Sequence, residues 1–459
     1  MIRSEFGMKQ IFETDWLASQ PVFYNEQTGK ASHNINDVID PDDFEFHPEG
    51  FNSFLDFGYS VFQQTPIKHV KFLRHSARLM AKEGEQPVIE YLNDPVDAWL
   101  DRRYSEDDVF DLVRTKIRGW EHSCRGEIVI PTSGGLDSRL LNLMVEDKSR
   151  IRSFTFGLTQ KQSDSAEVVH AKRLSEILGT KWEQIRLGDY HQYLDYWDQL
   201  FGVSTHTHGM YQIEFYKKIR QVQGDTPFLS GIIGDAWAGS VKMPAISSAA
   251  DVKHLGYTHG ANADSAMSQF QAKAGGREHY FNTHKERLKD PRIRIIEAMR
   301  IKLILLSYLM IIPASVGFKP WSPFLDIEVA MAMLNLPPER RDNRIWQREF
   351  YRKHGVDFES MRLGAKRYNS LNHYALRRIP LKPLDKELLS EVVKPEYVQW
   401  INHRLARNSL LDWLWEPNRI LKFGGVMRRL GFREPRMQAY FAYLVLYPIE
   451  SLLKKRGLS

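Results

Sequence analysis

The chain has 459 residues, 42% hydrophobic and 26% charged, the balance of an ordinary soluble globular protein and not of a disordered or fibrous one. That length exceeds one ordinary core, so two domains are expected. The net charge of +6 reads as a solvated surface on a chain this large. The single cysteine, Cys124, excludes an internal disulfide, a zinc ribbon and a paired-thiol redox motif, and it fits a reducing, cytoplasmic setting.

Met1 to Trp16 carries no apolar signal core. Residues 12–31 read as short strands, with a hairpin formed by Val22-Phe23-Tyr24 and the turn at Gly29. A break follows at Asn93 to Arg103. Ser105 with Asp108 three residues on predicts a helix start, and Val109, Leu112, Val113, Ile117 and Trp120 share one helical face. The domain boundary is placed here, giving a small β-rich unit at 1–104 and a larger unit at 105–459.

The string Glu127-Ile128-Val129-Ile130-Pro131-Thr132-Ser133-Gly134-Gly135-Leu136-Asp137-Ser138 is the centre of the chain. A β-branched run ends in a Ser-Gly-Gly turn, and Leu140, Leu141, Met144 and Val145 follow at helical spacing. This predicts a buried strand, a loop of phosphate size and a helix whose N-terminus faces an anion. Gly134 and Gly135 let an anion approach the backbone. Ser133 and Ser138 supply hydroxyls, and Asp137 a hard oxygen for magnesium. The Gly-Lys-Ser/Thr ending of a Walker A loop is absent.

Ile151 to Leu158 and Trp182 to Leu187 read as further strands. Between them a helix is predicted from Ser163-Asp164, with Ala166, Val169, Ala171, Leu174 and Ile177 inside it and Gly179 ending it. This alternation predicts an α/β domain with a parallel sheet and its ligand at the carboxyl ends of the strands. Pro227 to Asp235 is the next strand and loop. His206 and His208 precede it as candidate substrate contacts, without the partners that metal ligation needs. Ser248 to Lys289 has a weak apolar pattern and reads as a mobile covering insertion. Ile295 to Ile312 predicts a buried helix; it is too short to span a bilayer, contains Lys302 and stops at Pro313. Aromatic residues Trp400, Trp413, Trp415, Tyr440, Phe441 and Tyr443 predict a helical C-terminal core.

The Ser133–Ser138 string resembles the pyrophosphate-binding loop of enzymes that split ATP between its α and β phosphates. Further segments resemble asparagine synthetases. Leu229-Ser230-Gly231-Ile232-Ile233-Gly234-Asp235-Ala236 is similar to that family's Leu-Ser-Gly-Glu-Gly-Ser-Asp-Glu, and Pro323-Phe324-Leu325-Asp326 keeps the core of Glu-Ala-Arg-Val-Pro-Phe-Leu-Asp. Asp15 to Tyr24 resembles the Asp-x-Leu-Gly-x-x-Pro-Leu-Tyr-Tyr region of the family's glutaminase half, with Ala31-Ser32-His33 where Ala-Ser-Glu falls. Phe54 to Tyr59 and Thr65-Pro66-Ile67 resemble the end of that half.

The resemblance implies a PP-loop synthetase domain with a helical C-terminal part, preceded by a truncated, inactive remnant of an Ntn-type glutaminase. It implies ATP and Mg2+ as cofactors. Ser133, Gly134, Gly135, Leu136, Asp137, Ser138, Phe156, Leu158, Gly231 and Asp235 would bind the nucleotide, Asp137 and Asp235 would hold magnesium, and Lys366, on a segment running from Asn343-Arg344, would be the catalytic cation. The implied reaction is amide formation. A small carboxylic acid is adenylated with release of pyrophosphate, then passed to ammonia or an amine, without the chain's own glutaminase and with room for a separate ammonia-supplying subunit. Ile232 and Ala236 replace two acidic residues of the family, and Lys319 and Trp321 replace its Glu and Arg. The loss at Ile232 argues against aspartate as the acceptor, and Lys319 and Trp321 again point to a changed acceptor. Three alternatives stay open: a non-catalytic ATP-binding scaffold, a PP-loop enzyme modifying nucleic acid, and asparagine synthesis from free ammonia or with a separate glutaminase subunit. The expected partners exclude nucleic acid and a membrane span.

Overall fold

Ile128, Val129 and Ile130 have no exposed surface. A strand buried on both faces needs parallel neighbours covered by helices. The structure, a computed structural model, describes residues 9–219, 225–256, 261–272, 275–361, 363–406, 412, 415, 426–427 and 430–456. Its strands are β1 (Gln10–Thr14), β2 (Phe23–Asn25), β3 (Ala31–Ser32), β4 (Val70–Phe72), β5 (Ala77–Ala81), β6 (Val88–Tyr91), β7 (Ile128–Pro131), β8 (Ile151–Thr155), β9 (Lys181–Gln184), β10 (Thr226–Leu229) and β11 (Phe318–Trp321).

The last five strands form one parallel sheet in the order β11-β10-β7-β8-β9. The chain moves outward from β7 to β9, then restarts on the other side at β10. The gap between the carboxyl ends of β7 and β10 is therefore a topological switch point, where connections diverge and leave a crevice.

The helices follow from their caps. The Ser105 hydroxyl accepts from the Asp108 amide at 3.2 Å, and the Asp108 carboxylate accepts from the Ser105 amide at 2.8 Å. This box starts helix Glu106–Ser123, which buries Val109, Val113 and Ile117 completely. The next helix, Leu136–Met144, buries Leu140 and Leu141. Helix Ala166–Leu178 starts later than the sequence suggests. Ser163 and Asp164 lie in a preceding 3-10 turn and Ser165 is the N-cap, so Val168 enters the core and Ile177 is 40% exposed. Strand β8 ends at Thr155, which frees Phe156 and Leu158 to turn into the crevice.

The N-terminal region holds two three-stranded antiparallel sheets, β1-β5-β6 and β3-β2-β4. Between them lies a small core of Val22, Tyr24, Leu73, Ala77, Leu79 and Ala81. The expected hairpin is β2–β3. Gly29 turns it at φ +68°, where a Cβ would lie 2.2 Å from the carbonyl oxygens of Lys82 and Glu85. Helix Pro48–Phe57 sends Phe51, Phe54 and Leu55 into the same hydrophobic core as Val129. Trp16 adds an indole donor to the Leu325 carbonyl at 2.9 Å and packs 5.8 Å from Trp237.

The predicted apolar helix is two helices, Pro291–Leu306 and Tyr308–Ser315, separated at Ser307. Among the described residues, no helix is long and apolar enough to cross a membrane. Arg300 on the first helix fastens the N-terminal region. It donates to Asp94 at 2.8 and 2.9 Å, to Glu297 at 2.7 Å and to the Trp16 carbonyl at 2.9 Å. Removing it leaves the Glu297 carboxylate buried without its cation, while Asp94 keeps Arg287 at 3.0 Å, so Arg300→Met should cost about 3–5 kcal/mol in a urea denaturation.

Burial pushes the Glu297 carboxyl up, but Arg300, with His75, His284 and the Tyr280 hydroxyl behind it, outweighs that and holds it down at about 2. A lowered native pKa stabilises above the unfolded value and is lost as pH falls toward the native one. The urea midpoint should therefore fall from about pH 4.5 to pH 2, and fall less steeply in Glu297→Gln.

In the C-terminal region, helix Pro435–Lys455 buries Tyr440 and Tyr443, and the Tyr440 hydroxyl meets His191 Nε2 at 2.9 Å. Trp415 is buried and Trp400 stacks on Tyr397, whereas Trp413 lies outside the described residues.

Candidate active site

The segment joining β7 to helix Leu136–Met144 opens into a cavity of about 970 Å3 at the switch point. Gly134 adopts φ +66°, and a Cβ there would lie 2.6 Å from the His170 Cβ and 2.9 Å from the Glu167 carbonyl oxygen. The loop is braced from behind. Arg139, fully buried, donates to the Gly134 carbonyl at 2.8 Å and pairs with Glu359 at 2.9 Å, while the Tyr351 hydroxyl donates to the Leu136 carbonyl at 2.6 Å. Gly134 and Leu136 thus shape the loop from outside the cavity. Ser133, Gly135, Asp137 and Ser138 line it, at the N-terminal end of a nine-residue helix where amides and dipole favour an anion. Gly134→Ala combines a disfavoured φ with a steric clash. It should weaken ATP binding at least about tenfold by calorimetry, since about 1–2 kcal/mol is lost to the conformation alone.

The opposite wall is the loop after β10. Ser230 is held by its amide, which donates to the Trp321 carbonyl at 2.8 Å. Ile233 takes a left-handed φ of +53° and turns the chain into the short helix Gly234–Ala238, which carries Asp235. The Pro323–Asp326 string is the support for this turn. The Trp237 indole donates to the Phe324 carbonyl at 2.9 Å, and the Phe324 ring fills the space a Cβ on Gly234 would need. Gly231 and Asp235 both line the cavity, and Asp235 is close enough to raise the pKa of Asp137.

A residue given no role in the sequence reading completes this cluster. Arg344, 7% exposed, ion-pairs with the Asp137 carboxylate, and its Nε donates to Gln347 at 2.6 Å. Asn343 and Arg344 both take positive φ, +56° and +60°, which turns the guanidinium back toward the loop. Burial pushes the Asp137 carboxyl up, Arg344 opposes that and Asp235 reinforces it, leaving it at about 6. Lys302, 4% exposed on helix Pro291–Leu306, also reaches the cavity; burial pushes its pKa down to about 8 against the attraction of Asp235.

Among the described residues, no group of three or more His, Cys, Asp or Glu forms a metal cage. Two carboxylates from facing loops suit a cation such as Mg2+ that takes its remaining ligands from phosphate and water.

The structure does not bring Lys366 to this cavity. Its amide donates to the Asp164 carbonyl at 2.8 Å, its carbonyl accepts from Ala166, and its ammonium lies 3.4 Å from Asp164, beside a separate cavity lined by Gln162 and Tyr374. Phe156 lines the nucleotide cavity, packed edge-on against Phe215 at 5.1 Å. Leu158 lines it too, but its amide donates to the Ser165 hydroxyl and its carbonyl accepts from Ser370, so it offers a side chain and no backbone group to a base. Lys319 sits 3.4 Å from Asp225, and Trp321 stacks on Trp120 at 5.2 Å; neither lines the cavity. Ile232 and Ala236 do line it. His208 lines it as well, whereas His206 is buried and caps a turn by accepting from the His208 amide. From the segment Ser248 to Lys289, which folds into short turns and helix Gly275–His284, only His254 is a lining residue among those described.

Sheet order, switch-point crevice and the Ser-Gly-Gly-Leu-Asp-Ser loop define a parallel α/β ATP-pyrophosphatase type of domain. The model of the asparagine synthase family, whose members are ATP-dependent amide-forming ligases, matches residues 130–358, and this stretch is an asparagine synthase-like domain. The matched span takes in Asp137, Asp235 and Arg344 and ends before Lys366. No curated protein matches the chain.

Proposed function

We propose that the protein is an amide-forming ligase that activates a carboxylic acid as its acyl-adenylate. The observation that carries this reading is the convergence of Ser133, Gly135, Asp137, Ser138 and Asp235 on one switch-point cavity, with Arg344 paired to Asp137 at its edge. The loop, with the helix N-terminus behind it, suits a pyrophosphate unit held as a leaving group. Asp137 and Asp235 would hold magnesium, which supplies charge neutralisation on the phosphates. Arg344 is positioned to answer negative charge growing there, a contact worth most in the transition state. The acid's carboxylate attacks the α-phosphate, pyrophosphate departs, and ammonia or an amine then displaces AMP to give the amide.

In this reading the region 1–104 is a glutaminase-like remnant packed as a cap. Ala18 supports it. It stands where the family pattern has glycine, and it keeps the left-handed φ of +56° that a glycine would take freely. The one cysteine, Cys124, ends helix Glu106–Ser123 and belongs to neither N-terminal sheet. Nitrogen would reach the site as ammonia, from solution or a separate subunit, or as an amine. The purified chain should release no glutamate from glutamine, and steady release would contradict this part of the account.

A second reading is favoured by one observation. Arg344 already neutralises Asp137, as a cation would in a scaffold that binds nucleotide without turning it over. Pyrophosphate release against a panel of carboxylic acids separates the two, because a scaffold shows none with any acid.

A further inference from the structure

The cavity has two unlike ends. Beyond β8 lie Phe156, Leu158 and Phe215, where a nucleotide base would sit; beyond β10 lies the space left for the acid. At about 970 Å3 the whole cavity is at the top of the range for a single small ligand, roughly 300–1,000 Å3, so a nucleotide need not fill it. Its acid end is built from Met299, Lys302 and Leu306 on helix Pro291–Leu306, spaced three and four residues apart, and Leu309 on the helix that follows. Opposite stand Ile232 and Ala236, 3% and 1% exposed, with Val241 and Met243 half-buried at the rim.

Charge is scarce at this end. Lys302 lies under the influence of Asp235, and Lys242 pairs with Asp342 at 3.0 Å with its side chain 57% exposed. The carboxylate here is Asp235, already assigned to the phosphates. An amino-acid acceptor brings an ammonium and a second carboxylate, and each would have to compete with a partner already in place, because Lys302 and Asp235 face each other and Lys242 is paired with Asp342. An apolar body gains instead from every methylene it buries.

Resting on the adenylation reading above, we infer that the acceptor is an apolar monocarboxylic acid, aliphatic or aromatic, whose body lies between the Met299–Leu309 wall and Ile232. Lys302 is the polar exception on that wall and lies within the electrostatic reach of Asp235.

The test uses the full chain and stable acyl-adenylate mimics, 5′-O-(N-acylsulfamoyl)adenosines, titrated by calorimetry. The series is acetyl, butanoyl, hexanoyl, phenylacetyl and aspartyl. Affinity should rise about fourfold per methylene, the equivalent of ~0.8 kcal/mol each, and the hexanoyl compound should bind at least about 100-fold tighter than the aspartyl one. Leu306→Ser on the wall and Met243→Ser on the rim should each flatten the series. A flat series in the unaltered protein, or an aspartyl mimic as tight as the hexanoyl one, overturns the inference and leaves adenylation standing. If no mimic binds better than AMP, the adenylation reading itself fails, and this inference with it.

Discussion

Asp137→Asn and Asp235→Asn are each expected to cut pyrophosphate release by about 10²–10³-fold, the loss typical when one electrostatic contact to a transition state is removed from an enclosed site. The two residues come from different loops, one after β7 and one after β10, and meet only because the sheet order brings those strands together. Asparagine keeps the shape of either side chain and removes its charge. The folds should survive, read as an unfolding transition at nearly the wild-type temperature. Asp137→Asn has a second consequence: Arg344 loses its ion-pair partner and stays 7% exposed, so this variant should be the less stable of the two. Near-normal pyrophosphate release in both variants would remove the two-carboxylate site from the account.

The second large effect separates two cations. Arg344→Ala should slow single-turnover adenylation by about 100-fold while weakening ATP binding far less, because its contact counts most when charge is leaving. Lys366→Ala should change the same step by less than about threefold, since surface ion pairs such as Lys366–Asp164 are worth little. The reverse ranking would restore Lys366 as the catalytic cation.

A pH dependence accompanies this. The Asp137 carboxyl lies at about 6, raised by burial, and Arg344 is the group that restrains it. Below that pH the carboxyl takes a proton and loses the charge that a bound cation needs. Magnesium-dependent ATP binding should therefore weaken as pH falls through about 6, and in Arg344→Ala the weakening should begin at a higher pH.

Much of this site was legible in the residues alone. The β-branched run Ile128–Ile130 can only be a buried strand, the Ser105–Asp108 box can only start a helix, and the Ser133–Ser138 string needs the switch point it occupies. Arg344 was not legible, because what aims it is a pair of left-handed backbone conformations that no hydrophobic period records. Lys366 was attractive by its place in the chain, yet a backbone bridge to Ser165 ties it to a different surface. Leu158 followed the same pattern: its backbone groups are consumed by Ser165 and by Ser370, the latter more than 200 residues away. Lys319 and Trp321 looked like substrate determinants on a motif basis. Their partners, Asp225 and Trp120, come from other parts of the chain and draw them away from the cavity. In each case a long-range contact decides where the group goes; the motif resemblance at Lys319 and Trp321 does not reveal that Phe318–Trp321 is a strand, and the strand expected through Leu158 ends at Thr155.

The central claim is the bond at which ATP is split. ATP labelled in its adenine ring and in its γ-phosphate, incubated with the protein, magnesium and the panel of apolar carboxylic acids and then resolved by chromatography, reads it directly. The account predicts AMP and pyrophosphate in equal amounts, with no ADP, because the Ser133–Ser138 loop lacks the lysine of a terminal-phosphate site and cradles a leaving pyrophosphate. ADP and inorganic phosphate as the main products would contradict it.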